Sequence, residues 1–105
     1  MDKLFHITIF TPEGIVHEGH ISSLVAPGEL GYLGVWAHHA PLMTTLQPGK
    51  IILKDAAGQQ TIFESQSQGL LEVLKNEVIL ILDRVSKWLQ PNSTDVGRIG
   101  KISLS

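Results

Sequence analysis

The chain has 105 residues, of which 43% are apolar and 17% charged, enough for one folded domain and too few for two. Eight Lys and Arg against ten Asp and Glu leave a net charge of −2, and the basic residues are scattered from Lys3 to Lys101, so the electrostatic footprint of a nucleic-acid binder is missing. Without cysteine, disulfide staples and cysteine-based zinc or redox sites are excluded, which fits a reducing compartment.

Met1 to His6 lacks the long apolar run of a signal peptide, and Val78 to Leu82 falls far short of the roughly 20 residues that span a bilayer, so membrane association is expected only indirectly, through a partner. In Leu4 to Phe10, Phe5, Ile7 and Ile9 alternate with His6 and Thr8, the period of a half-buried strand. Thr11-Pro12-Glu13-Gly14 then reads as a turn. Further strands are expected at Ile15 to Glu18, His20 to Ala26, Tyr32 to Val35, Pro41 to Leu46 and Lys50 to Lys54, broken at Pro27-Gly28 and Pro48-Gly49. Gln60 to Ser65 follows the hairpin loop Asp55 to Gly58, and Leu70 to Leu74 and Glu77 to Leu82 flank Lys75-Asn76. About nine short strands with turn signals between them predict an all-β sandwich or barrel.

Val78-Ile79-Leu80-Ile81-Leu82 is apolar at every position and is expected as a central strand covered on both faces. After Asp83 the pattern changes. Ser86 to Gln90 reads as a helical turn, Pro91 to Asp95 as linker, and Val96 to Ser105 as a poorly ordered end. The expected organisation is therefore a domain over 1–85 and a short tail over 86–105.

No catalytic constellation emerges. His17 and His20 are three apart, a spacing that shares a face on a helix but splits across faces on a strand, and the adjacent His38 and His39 split likewise. His6 falls on the solvent side of its strand. The glycines of Pro27 to Gly34 have no Lys or helix start behind them to hold a phosphate. No serine sits in a Gly-x-Ser-x-Gly elbow, and Glu13, Glu18, Glu72 and Glu77 flank turns as solvated charges. No metal or other cofactor is expected.

The order of motifs is more specific than the composition. Thr11-Pro12-Glu13-Gly14, Leu24 to Gly28, Gly31-Tyr32-Leu33-Gly34-Val35, His39-Ala40-Pro41-Leu42, Leu46 to Gly49 and Gly69 to Val73, followed by Asn76 and Val78 to Asp83, resemble the epsilon subunit of bacterial F-type ATP synthases, whose mitochondrial counterpart is called delta. His-Ala-Pro-Leu is the most specific piece. The resemblance runs from about Phe5 to Asp83. It implies a sandwich of about ten strands in two five-stranded antiparallel sheets. It also implies a place at the foot of the central stalk, on the cytoplasmic face of the bacterial plasma membrane, with the gamma subunit and the c-ring as partners. By resemblance, His38, His39, Ala40, Pro41 and Leu42 lie toward gamma, and Glu29, Leu30, Gly31 and Tyr32 toward the c-ring.

Each of these residues also has a plain structural role. Pro41 suits a strand start, His39 a half-buried polar site, and Trp36 and Trp88 either an interface anchor or a cap on the sandwich. Two departures stand out. Where many members carry the acid of Gly-Glu-Leu-Gly, this chain has Tyr32, with Glu29 three residues earlier, and a common Gly-Gly pair is Gln68-Gly69. The C-terminal helical hairpin of most members, which inhibits ATP hydrolysis, is not expected to form from a tail broken by Pro91 and two glycines, whether the chain is naturally short or part of a longer one. The competing reading is a stand-alone sandwich binding a small ligand or carbohydrate, which would need an exposed aromatic platform.

Overall fold

A computed structural model describes residues 3–88 and 101–103. Among these residues there are eleven strands and no helix: β1 Phe5–Thr11, β2 Gly14–Ile21, β3 Ser23–Gly28, β4 Gly31–Trp36, β5 Leu42–Leu46, β6 Gly49–Lys54, β7 Gln60–Ser65, β8 Gly69–Leu74, β9 Glu77–Leu82, β10 Val85–Trp88 and β11 Lys101–Ser103. Hydrogen bonding runs β11-β10-β7-β6-β3-β5-β8-β9-β1-β2, with β4 on the other side of β3.

One link in that path is weak. β3 meets β5 only at Gly28 and Leu46, so the ladder folds there into two halves. One half is β4-β3-β6-β7-β10 with β11 at its edge, and the other is β5-β8-β9-β1-β2. These are the two five-stranded sheets of a sandwich. Between β5 and β6 the chain changes sheet at Gln47-Pro48, where the Gln47 N–H donates to the Pro27 carbonyl at 2.8 Å and Pro48 has no N–H to leave unpaired. Inward residues of both halves form one core: Ile7, Ile9, Leu71 and Leu80 from one sheet, and Leu24, Val35, Ile51 and Phe63 from the other, all essentially inaccessible to water. Burying each such side chain contributes about 1.5–3 kcal/mol.

Several expectations are corrected. The sheets are not wholly antiparallel, because β1 runs parallel to β9 from His6–Glu77 to Phe10–Ile81. A parallel pair needs a long connection, and here the whole intervening chain supplies it. β9 is covered on one face only: Val78, Leu80 and Leu82 are buried, while Ile81 is 50% exposed, since among the described residues no second layer lies over the outer face. β2 continues through Gly19 to Ile21 instead of breaking there, with a bulge at the Ile9/Phe10 register.

Ser86 to Trp88, expected to open a helical turn, is extended. Val85 faces Ser65 and Lys87 faces Phe63 across β7, and this ladder together with the burial of Val85 outweighs weak local helix preference. The far tail is tied down where it is described, with Lys101–Ser103 pairing antiparallel to β10. The expectations for Leu89 to Gly100 and for the last two residues lie outside the described residues.

Candidate interaction surface

Strand directions place the Glu29–Tyr32 turn and the His38–Pro41 loop at opposite ends of the sandwich. The tight turn between β3 and β4 closes one end, together with the Thr11–Gly14 turn and Asp83-Arg84. The loop from Trp36 to Leu42 closes the other, beside the Lys75-Asn76 turn and the start of β1.

At the first end, Gly28 pairs with Gly31 around Glu29 and Leu30, a two-residue hairpin. Gly31 sits at φ +128°, a conformation open to glycine but not to residues with a Cβ. Leu30 at the tip is fully exposed, an apolar side chain held out into solvent. Glu29 accepts a hydrogen bond from the Thr45 hydroxyl at 3.3 Å. Tyr32 is 60% exposed, and its hydroxyl accepts the Lys50 N–H at 3.2 Å, so the ring is held on the outer face opposite Pro27.

At the second end, His38 adopts a left-handed φ of 64° and donates its N–H to the Asn76 side-chain oxygen at 2.7 Å. Asn76 also donates its side-chain N–H to the Leu4 carbonyl at 2.9 Å. Its own carbonyl accepts the His6 N–H at 3.2 Å. One asparagine therefore ties the loop to β1 and to the turn after β8. His39 N–H donates to the Trp36 carbonyl at 3.2 Å, and its Nδ1 lies 2.6 Å from the Ala40 carbonyl oxygen, which orients the imidazole along the loop. Ala40 and Pro41 are exposed. Leu42 begins β5 and packs half-buried against the core, so Pro41 does mark a strand start.

The structure brings Leu42 closer to the other candidate set than the sequence implies. A groove of about 350 Å³ between β4 and β5 is lined by Glu29, Leu30, Gly31 and Tyr32 and also by Leu42 and Thr44. His38, His39, Ala40 and Pro41 lie away from it. Sequence reasoning gave Asn76 as a turn residue and as part of the resemblance but missed its tie to the His38 loop, although an Asn in a two-residue turn, where positive φ is common, is the signal that could have raised it. Met43, 64% exposed beside the loop, and the apolar outer face at Leu70 and Ile81 were missed as well.

The histidines do not converge. His17 points inward, its ring edge-on to Phe63 at 5.5 Å, and His20 points outward, 5.2 Å from His6. His6 lies between Glu18 at 3.1 Å and Glu77 at 3.8 Å. Among the described residues no three such side chains form a metal-ligand set. Burial, with the Lys87 ammonium nearby, pushes the His17 pKa down. Trp88 ties β10 to β7 and β6, with its indole N–H donating to Glu64 at 3.2 Å and the Lys50 ammonium 4.9 Å from its ring centre.

Residues 4–87 match the family model described as the ATP synthase delta/epsilon chain β-sandwich domain. The chain belongs to this family. It is similar to the ATP synthase epsilon chain of Alkalilimnicola ehrlichii, at 34% identity over 82 residues that make up 78% of this chain and 58% of that one. The epsilon chain of Xanthomonas campestris pv. campestris is 41% identical over 75 residues, 71% of this chain and 53% of its own. This delta/epsilon-type chain thus spans little more than half the length of the curated relatives it matches. Its fold is also that of a chain in the Euglena gracilis mitochondrial ATP synthase assembly of OSCP, F1 and c-ring, with a TM-score of 0.77 at 16% identity, covering 83% of this chain and 55% of that one.

Proposed function

We propose that this chain is a central-stalk subunit of an F-type ATP synthase, helping to couple ion-driven rotation to ATP synthesis. The match of residues 4–87 to the delta/epsilon β-sandwich family carries the reading. In it, His38, His39, Ala40, Pro41 and Leu42 face the gamma subunit, and Glu29, Leu30, Gly31 and Tyr32 face the c-ring. The chain sits on the cytoplasmic face of a bacterial plasma membrane, held there by the complex.

Its contribution is mechanical, and the chemistry belongs to other subunits. A stiff part transmits torque with little angular lag, and two sheets sharing one core are stiffer than a flexible linker. The geometry supports this use. A fully exposed leucine on a glycine-framed turn offers an apolar tip to one partner, while at the far end Asn76 fixes the backbone of the loop presented to the other.

Size exclusion and thermal melting of the chain mixed with its own organism's gamma subunit test the proposal. Co-elution and a raised melting temperature are expected, because a partner that binds only the folded state stabilises it by mass action. His39→Glu should weaken both effects. A well-folded chain that neither co-elutes nor gains stability overturns the assignment, and stabilisation by small carbohydrates would favour the stand-alone sandwich.

A further inference from the structure

Beside the loop that carries His38 lies a cleft of about 470 Å³ whose lining includes Lys3, Ser23, Trp36, His38 and Lys54. Trp36, Ser23 and Lys54 stand directly opposite one another on β4, β3 and β6, so indole, hydroxyl and lysine share one cross-strand row on the outer face. The indole lies across Gly34, where an added Cβ would come within 2.6 Å of the ring. Glycine thus lets the tryptophan lie down on the sheet, and 60% of it remains open to solvent.

The charge around this platform is one-sided. Among the described residues no carboxylate lines the cleft, and neither Lys3 nor Lys54 joins an ion pair. Asp55, next in sequence to Lys54, uses its carboxylate to accept the Ala57 and Gln59 N–H groups, both at 2.9 Å. On a chain of net charge −2 this is a local positive site built around an exposed aromatic, the composition that anchors protein interfaces.

We propose that the cleft receives an acidic segment of the gamma subunit, with a carboxylate between Lys3 and Lys54 and a neighbouring apolar side chain on the Trp36 indole. This rests on the stalk reading and adds the chemistry of the contact. Charge complementarity selects the partner segment, and Ala37 and His38 make the cleft continuous with the loop that runs on to Leu42.

Association and dissociation rates of the purified chain with its own gamma subunit, measured at low and high salt, test it. Lys3→Glu and Lys54→Glu should each slow association about tenfold at low salt and flatten its salt dependence. Trp36→Ala should speed dissociation about tenfold or more. Arg84→Glu makes the same charge change at the opposite end of the sandwich and should bind as the wild type does. Wild-type rates for the Lys3, Lys54 and Trp36 variants, with unchanged melting temperatures, overturn the cleft assignment and leave the stalk reading standing. No binding of gamma by the wild type overturns both.

Discussion

Asn76 adopts φ 62° in the turn after β8, and its side chain bonds both His38 and Leu4. Replacing it with alanine removes those two hydrogen bonds and puts a less tolerant residue into a left-handed conformation, so we expect a loss of about 1–3 kcal/mol in urea unfolding. Amide exchange at His38 should accelerate more than at any core strand, and Asn76→Gly, which relieves the backbone but not the lost bonds, should restore stability only in part. His17 governs a different property. Its folded pKa lies below the unfolded value near 6.5 because burial and Lys87 disfavour the charged ring. The unfolded chain therefore binds the extra proton first as pH falls, and stability contributed at neutral pH is lost from about pH 6.5 downward, through the folded pKa. Urea melts at pH 7.5 and 5.5 should show this loss, and His17→Gln should make it smaller.

At the scale of the element, period-2 alternation made most strands legible, and Gln60–Ser65 and Glu77–Leu82 have the expected bounds. Pairing was less legible, because nothing local in β1 says that its neighbour is β9, more than sixty residues away and parallel. An unbroken apolar run likewise cannot tell a strand covered on both faces from one covered on a single face. β9 is the second kind, so Leu80→Ala should cost about 2–5 kcal/mol and Ile81→Ala under about 1 kcal/mol by denaturant titration. Equal losses would contradict one-sided burial. β10 misled for the opposite reason: four residues carry too little periodicity to reveal a long-range ladder to β7.

Over the whole molecule, motif order picked out both candidate segments, but only the direction of the strands puts the Glu29–Tyr32 turn and the His38–Pro41 loop at opposite ends, while Leu42 lines a groove with the turn. That separation suits a part standing between two others. It is also directly testable, since the chain has no cysteine of its own and any introduced thiol is unique. The most direct measurement is cross-linking in the assembled complex, with Leu30→Cys and Pro41→Cys carried by separate chains. Leu30→Cys is expected to link to the c-ring and Pro41→Cys to gamma. Both thiols linking to one subunit, or neither linking in a complex that retains the chain, would contradict a two-ended role in the stalk.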